Sequence, residues 1–363
     1  MAPLLDLRSL TVELPTAAGW IRPVHDVSFT LKAGETLGLV GESGCGKTML
    51  GLALMGLLPE GARRSGEALF SPNGAAATGR GAAPQNLAAL SDAAMRSLRG
   101  RDIAMIFQEP MTALNPVMRV GAQIEEAIRA HYPGISRLTA RMGMFEAMRL
   151  AAIPEPKLRA QQFPHQLSGG LRQRVLIAMA LAAGISEPGL EMTSAETRRP
   201  EEMALGPRLL IADEPTTALD VTIQKQILEL LARLRDELGL ALLFITHDLG
   251  VVAQVADRVA VMYAGRIVEE GPAARVLAAP LHPYTQGLLR AAPQLEKKKL
   301  EPIAGSVPRL DALPPGCAFE PRCPLHRPEC SVAVPEFRAP SEASAQAGVP
   351  APHHRARCIL IER

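Results

Sequence analysis

Residues 41–48, "GESGCGKT", are the strongest indication of the fold in this sequence. This stretch fits the pattern G-x-x-x-x-G-K-[ST] in full, follows the apolar run "ETLGLV" and precedes the helical run "MLGLALMGLLP". In such a loop successive backbone N–H groups cradle phosphate oxygens, Lys47 reaches the β and γ phosphates, and the Thr48 hydroxyl ligates Mg²⁺. The order strand, glycine loop, helix therefore predicts a nucleotide-binding α/β unit, and residues 41–48 are called the P-loop below.

All eight positions of the P-loop are assigned to nucleotide binding. Cys45 is interpreted as occupying a permissive position of the loop. The assigned residues are Gly41, Glu42, Ser43, Gly44, Cys45, Gly46, Lys47 and Thr48.

A second apolar run, "RLLIADEP", ends in two carboxylates. An acid at the carboxyl end of a strand meets the Mg²⁺ of a bound nucleotide, which suits Asp213, and the adjacent Glu214 is placed to polarise an attacking water. Both residues could instead merely cap the strand. Beside a P-loop, the pattern favours a site for nucleotide hydrolysis.

The rest of the chain indicates three further regions. Residues 4–14 and 24–31 alternate apolar and polar side chains, which predicts an antiparallel sheet. Helical spacing between the P-loop and the second strand predicts a helical subdomain at about 109–175, and strands alternating with helices after it predict a parallel sheet. Near residue 275 proline becomes frequent and periodicity is lost, which divides the chain into 1–275 and 276–363.

Composition excludes some classes of protein. The chain has 39 Lys and Arg against 37 Asp and Glu, a formal charge of +2, which argues against binding nucleic acid through a bulk basic field. The charged N-terminus is not typical of an export signal, and the longest apolar run, at 175–185, is about half of the ~18 residues that a membrane-spanning helix needs. We expect a cytosolic protein that meets a membrane only through partners.

Five motifs in order resemble those of the ABC-type ATPases. They are the P-loop, "IFQEPMTALNP" at 106–116, "LSGGLRQR" at 167–174, "DEPTTALD" at 213–220 and "FITHD" at 244–248. The resemblance implies an α/β fold: a P-loop NTPase core of the ABC type, with an antiparallel β-subdomain and a helical subdomain. It also implies ATP hydrolysis with Mg²⁺. Residues 167–174 are called the signature segment below.

The resemblance implies a role for each motif. Gln108 corresponds to the residue that links the γ-phosphate side to the transmembrane partner, His247 contacts the γ-phosphate, and Asp220 lies at the dimer interface. The signature segment contacts the ATP bound by the opposite subunit through Ser168, Gly169 and Gly170, because a serine hydroxyl and bare backbone amides at a helix start form an anion site. The implied catalytic residues are Glu214, His247 and Gln108, and the implied Mg²⁺ ligands are Thr48, Gln108 and Asp213.

The chain departs from the family pattern in two places. The aromatic residue that stacks on adenine is represented only by Trp20, which is slightly displaced. About twenty residues separate the signature helix from the strand ending in Asp213, within the segment 184–206. This charged insertion, without a clear period, is expected to be a surface loop, and a regulatory contact remains an alternative.

The C-terminal part resembles the extension of importer ATPases for oligopeptides and dipeptides, in "PLHPYTQGLL" at 280–289 and "PIAGSVPRLDALPPGCAFEPRC" at 302–323. The resemblance implies a peripheral ATPase at the cytoplasmic face of the inner membrane. Its partners would be a second homologous ATPase (a homodimer being the alternative), two transmembrane permeases and, indirectly, an extracytoplasmic substrate-binding protein, with no nucleic acid. The cargo stays open, because other subunits choose it.

Four of the five cysteines lie in this extension, with five, six and 27 residues between them: Cys317, Cys323, Cys330 and Cys358. In a reducing cytosol grouped cysteines indicate metal or redox chemistry rather than disulfides. By count, four thiolates suit zinc or an iron-sulfur cluster equally. The resemblance implies a four-iron four-sulfur cluster. Zinc, with His353 or His354 as a further ligand, and free thiols are the alternatives.

One rival function is a soluble ABC ATPase that remodels DNA or ribosomes without a permease. Such proteins usually join two cassettes or carry long coiled-coil arms. This chain has one set of motifs and no heptad pattern, so the sequence favours the importer.

Overall fold

The computed structural model describes residues 2–17, 19–72, 83–184, 206–291, 302–340 and 354–361. Two sheets organise these residues. The described strands are β1 (Leu5–Thr16), β2 (Gly19–Leu31), β3 (Thr36–Val40), β4 (Arg63–Phe70), β5 (Gln85–Asn86), β6 (Ile103–Ile106), β7 (Leu209–Asp213), β8 (Ala241–Thr246), β9 (Arg258–Tyr263), β10 (Arg266–Pro272) and β11 (Arg355–Ala356).

The helices connect and cover these sheets. The described α-helices are α1 (Lys47–Met55), α2 (Asp92–Leu98), α3 (Pro110–Ala113), α4 (Val120–His131), α5 (Arg137–Leu150), α6 (Pro156–Arg159), α7 (Gly169–Ala182), α8 (Val221–Leu238), α9 (Leu249–Val255), α10 (Ala273–Ala278) and α11 (Pro283–Ala291). Single 3₁₀ turns occur at Pro164–Gln166, Glu320–Arg322 and Pro328–Ser331.

The smaller sheet has the order β2-β1-β4-β5 and is antiparallel, which confirms the sheet predicted from alternation. The larger sheet has the order β11-β10-β9-β3-β8-β7-β6, and its strands from β9 to β6 run parallel. Parallel strands place their carboxyl ends at one edge. The P-loop after β3 and the carboxylates at the end of β7 therefore meet at that edge.

The central strands are buried on both faces, so they carry continuous apolar runs rather than alternation. In β7, Leu210 and Ala212 pack with the layer that contains α4, α5, α7 and α8. Leu209 and Ile211 pack with α1 and the antiparallel sheet. The predicted α/β class, with an antiparallel and a helical subdomain, is confirmed.

Helix ends follow the cap residues. Ser168 caps α7 and Asp220 caps α8, each accepting a backbone N–H of the first turn, and Gly239 ends α8 with φ of 63°. The helix after the P-loop ends at Met55 rather than near Pro59, because Gly56 adopts a left-handed conformation with φ of 63° and caps it.

The C-terminal extension, residues 276–363, joins the larger sheet. Its strand β11 pairs antiparallel with β10, so that Glu269 faces Ala356 and Glu270 faces Arg355. The predicted division near residue 275 places these paired strands in different units and remains a prediction.

The predicted surface insertion lies, apart from its two ends, outside the described residues. Those ends adjoin, since the Gly206 N–H donates to the Gly184 carbonyl at 2.9 Å. The described residues on the two sides of this segment are therefore in contact. Among the described residues, none of the helices combines the length and apolar character needed to span a bilayer.

Candidate nucleotide-binding site

The P-loop curves into the start of α1, with Ser43, Gly44 and Thr48 exposed. Gly44 and Gly46 have φ of 80° and 108°, which residues with a side chain rarely adopt. A Cβ at Gly46 would lie 1.8 Å from the Pro23 carbonyl oxygen, so this position admits only glycine. The loop thus holds a tight curve that leaves room for phosphate oxygens beside its N–H groups.

Lys47 is the first residue of α1 and is 5% exposed. Its Nζ donates to the carbonyl oxygens of Gly41 at 2.7 Å and Glu42 at 3.0 Å. Ser43, Gly44 and Thr48 are exposed around it. The ammonium group is thereby fixed across the loop, beside residues open to a ligand.

The interpretation of Cys45 as a permissive position of the loop was wrong. Cys45 is fully buried and packs in the core beneath the antiparallel sheet, and burial raises the pKa of its thiol. A Cβ at Gly41 would lie 2.8 Å from its sulfur. Residue 45 is therefore confined to a small side chain by the packing beneath the loop.

Asp213 ends β7 and is 1% exposed. It accepts a hydrogen bond from the Thr48 side chain, yet its Oδ1 is buried without a partner. Burial raises the pKa of this carboxyl despite that hydrogen bond. An orphaned carboxylate oxygen beside a hydroxyl is a donor set that fits Mg²⁺, so Thr48 and Asp213 suit the metal role predicted for them.

The Glu214 carboxylate contacts residues of two other motifs, Gln108 and His247, and Thr217 of its own motif. Its Oε1 lies 3.0 Å from His247 Nδ1, and its Oε2 accepts from Gln108 Nε2 at 3.1 Å and from Thr217 Oγ1 at 2.8 Å. Its backbone N–H donates to Ile245 in the neighbouring strand β8, although its φ is 46°. The three residues predicted as catalytic thus meet at one carboxylate, next to Asp213.

The pKa of Glu214 reflects two opposed effects. Burial acts to raise the pKa of its carboxyl, but hydrogen bonds from His247 and Thr217 outweigh burial and leave the pKa below its ordinary value. The carboxyl is therefore ionised near neutral pH and can accept a hydrogen bond or a proton from water.

The signature segment lies apart from this cluster. Ser168 and Gly169 are exposed at the start of α7, where the Ser168 hydroxyl accepts from the Leu171 N–H at 3.4 Å. Gly170 is buried, and a Cβ there would lie 2.6 Å from an Ile223 methyl of α8. In the part of the chain that the structure describes, no hydrogen bond joins residues 168–170 to the P-loop.

Trp20 lies at the start of β2 and is 43% exposed. The Arg63 guanidinium stacks over its ring at 4.0 Å from the centroid. One ring face is thus covered within the chain, and an adenine stack there stays a prediction.

The four cysteines of the extension come together. The Cys317 N–H donates to the Cys330 carbonyl at 2.8 Å. Burial, with the nearby thiols of Cys330, Cys358 and Cys323, raises the pKa of Cys317 to about 11. In the described ranges no group of three or more His, Cys, Asp or Glu side chains has the geometry to hold a metal ion. His354 is buried, and its Nε2 lies within hydrogen-bond distance of Glu269 Oε1, at 2.8 Å.

Sequence reasoning missed the partners of Glu42. Its carboxylate accepts two hydrogen bonds from Arg322, and its N–H donates to the Tyr284 hydroxyl. Tyr284 belongs to the His-Pro-Tyr segment, which by itself is also typical of a simple turn. The only indication in the sequence was the presence of charged and aromatic residues in a Pro-rich tail. That pattern does not show which residues they contact.

Two family models match the chain. The ABC transporter family matches residues 24–185, and the oligopeptide/dipeptide transporter C-terminal region matches residues 268–330. A relative from Brucella ovis, provisionally named a peptide import ATP-binding protein, is 45% identical over 98% of this chain and 97% of its own. Another of that name from Brucella abortus is 44% identical over 91% of this chain and 90% of its own.

Solved structures agree with this similarity. A dimeric ATP-binding cassette in a post-hydrolysis state with ADP and Pi has a TM-score of 0.58 and 26% identity, covering 74% of this chain and 98% of its own. A cassette from Clostridium perfringens, part of an ABC transporter complex, has the same fold, with a TM-score of 0.57 and 24% identity over 77% of this chain and 92% of its own.

Proposed function

The chain belongs to the ATP-binding proteins of ABC transporters, and we propose that it is the ATP-hydrolysing subunit of an importer of dipeptides or oligopeptides. The convergence of Gln108, Glu214 and His247 beside the P-loop carries the hydrolytic part of this function. The match of residues 268–330 to the peptide-transporter region supports the cargo class. The permeases and the binding protein would choose the exact cargo, and nickel, glutathione and sugars are the alternatives to peptides.

In this function the P-loop binds the phosphates of ATP, with Lys47 contacting the β and γ groups. Mg²⁺, when bound, would neutralise phosphate charge, and Thr48, Asp213 and Gln108 would hold it. The unpartnered Oδ1 of Asp213 supports that assignment.

Glu214 acts as the base that polarises the attacking water. Both of its oxygens are engaged by Gln108, Thr217 and His247. We infer that turnover requires Gln108 and His247 to turn toward the γ-phosphate side, which frees Glu214 to accept from water.

Proteins of this family act as dimers in complexes with permeases, and the two exposed residues of the signature segment, Ser168 and Gly169, suit such an arrangement. Ser168 and Gly169 present a capped helix start to solvent, an anion site that needs a phosphate from another subunit. Asp220, exposed at the start of α8, lies at the proposed interface. We propose a heterodimer with a second ATPase at the cytoplasmic face of the inner membrane, fed indirectly by an extracytoplasmic binding protein and without nucleic acid.

We further propose that Cys317, Cys323, Cys330 and Cys358 hold a four-iron four-sulfur cluster, with zinc as the alternative. The electrostatic influence of the other three thiols on Cys317 supports it, while the described side chains form no metal-binding geometry as they stand. Thiolate ligation in such a cluster would cross-link a tail that packs few core residues, and because the ligands must lose protons, loading would weaken as the pH falls.

A detergent pull-down of the tagged chain from membranes tests this function. We expect recovery of a second ATPase and two permeases, and ATP hydrolysis that rises when peptide and binding protein are added. Recovery of ribosomes or DNA without any permease would contradict the importer.

A further inference from the structure

The second residue of the P-loop, Glu42, is held by the C-terminal extension. Arg322 Nη1 donates to Glu42 Oε2 at 2.7 Å and Nη2 donates to Oε1 at 3.0 Å, a bidentate ion pair. The Tyr284 hydroxyl accepts the Glu42 N–H at 2.8 Å. Both the backbone and the side chain of Glu42 therefore depend on residues more than 200 positions away.

Arg322 is buried, and each nitrogen of its guanidinium donates a hydrogen bond. Its side chain is 5% exposed, and Nε donates to the Ala304 carbonyl at 2.9 Å. Nη1 also donates to the Tyr263 hydroxyl at 3.2 Å, and Nη2 to the Ile303 carbonyl at 3.5 Å. Only a guanidinium supplies five donors in one plane, so lysine cannot replace this set.

An aromatic cluster supports the ion pair. Tyr263, Tyr284 and Phe319 are fully buried, with ring centroids 4.5 to 5.3 Å apart. The Arg322 guanidinium lies 5.8 Å from the Tyr263 ring and 5.9 Å from the Phe319 ring. Because Tyr263 belongs to β9 and the other two rings to the extension, the cluster joins the extension to the core.

Glu42 also contacts the residue that binds phosphate. Its carbonyl oxygen accepts from Lys47 Nζ at 3.0 Å, so a shift of Glu42 moves an anchor of that ammonium group. Without Arg322, its carboxylate would leave a negative charge beside a loop that binds an anion, which opposes phosphate binding.

We propose that Arg322 is a positioning residue for ATP binding: by neutralising and fixing Glu42, it keeps the P-loop in the shape that receives phosphates. The inference rests on the proposed function and adds that the affinity for nucleotide depends on the docked extension. It holds whether or not the cysteines carry a metal.

Titration calorimetry of the full chain with Mg·ADP tests the inference. We expect Arg322→Met to weaken binding about tenfold, since it removes two charge-assisted hydrogen bonds and exposes a neighbouring charge. Arg322→Lys should give an intermediate loss. The matched control is Arg355→Met, because Arg355 also joins the extension to the core by an ion pair, with Glu270 at 3.0 Å, and should bind Mg·ADP like wild type.

A double-mutant cycle separates positioning from general fastening of the extension. In a Glu42→Gln background, which removes the charge that Arg322 neutralises, Arg322→Met should weaken binding by no more than about twofold. An equal loss in both backgrounds, or wild-type affinity in Arg322→Met and Arg322→Lys, would overturn the inference. If Arg322→Met does not fold, the cycle is run with Arg322→Lys. Failure of the wild-type chain itself to bind Mg·ADP would instead overturn the proposed function.

Discussion

The nucleotide site and the C-terminal extension both collect residues from distant parts of the chain, but different structures hold them. In the nucleotide site each chemical residue lies at the end of a regular element: Lys47 begins α1, Asp213 ends β7 and His247 follows β8. In the extension, residues 302–340 contain two short 3₁₀ turns and one isolated bridge from Arg338 to Ala356, among irregular backbone. The first geometry follows from sheet topology, whereas the second depends on side-chain contacts such as the pair Arg322–Glu42.

Substitutions in the two regions should therefore have effects of different extent. A substitution in the nucleotide site should alter chemistry while the sheet keeps its shape, because backbone hydrogen bonds between strands hold the ends in place. A substitution in the extension should loosen backbone as well, since few regular hydrogen bonds hold it there.

The largest effect is expected from Glu214→Gln. The amide can still hydrogen-bond water but cannot accept its proton, so hydrolysis should fall by about 10²–10⁴-fold while ATP binding and the melting temperature are kept. Turnover is measured with the partner ATPase and permeases present. Normal turnover of the variant would show that Glu214 is not the base.

A smaller effect, on binding itself, is expected from Lys47→Ala. The substitution removes a charge-assisted contact to phosphate, so the Kd for Mg·ATP should rise at least about tenfold. Equilibrium binding to the purified chain measures it, and Glu214→Gln serves as the control that keeps its affinity. Unchanged binding would show that the ammonium group does not contact the phosphates.

Cys323→Ser tests the extension. The variant purified without oxygen should lose iron and its brown colour, and its extension should be cleaved faster by protease while the sheet stays folded. Cys45→Ser is the matched control, since Cys45 lies outside the four-cysteine group and should leave the iron content unchanged. About one zinc per wild-type chain would show that the site holds zinc rather than an iron-sulfur cluster. Four titratable thiols without metal would contradict both the cluster and the zinc site.

The smallest effect is expected from deletion of residues 186–204. The Gly206 N–H already donates to the Gly184 carbonyl oxygen at 2.9 Å. The cut ends can therefore be joined without moving α7 or β7. The melting temperature and the ATPase rate should stay close to those of the full chain. Loss of the folded state would show that the insertion is part of the core.

The sequence was sufficient for the fold where local pattern and topology agree. The glycine loop between β3 and α1, and the carboxylates ending β7, were placed correctly because strands, caps and loops are encoded locally. The meeting of Gln108, Glu214 and His247 came from the resemblance, because nothing in their spacing brings three distant loops together. Parallel topology explains their convergence only once strand order is known.

The extension could not be predicted in this way. Arg322 and Glu42 are 280 positions apart, and no periodicity links them. The burial of Cys45 was likewise invisible, since a loop pattern does not reveal what packs beneath it. Long-range contacts between irregular segments leave no regular trace in the sequence, so the four cysteines could be counted but their surroundings could not be described.

The rate of ATP hydrolysis per chain, measured from dilute to concentrated solution and then with the paired ATPase and permeases added, tests the central claim most directly. Under the proposed function, the exposed Ser168 and Gly169 of the signature segment complete the site of an opposite subunit. The account therefore predicts slow hydrolysis by the dilute chain, a higher rate with the paired ATPase and a still higher rate with permeases. Full activity of the dilute, isolated chain, unchanged by either addition, would contradict it.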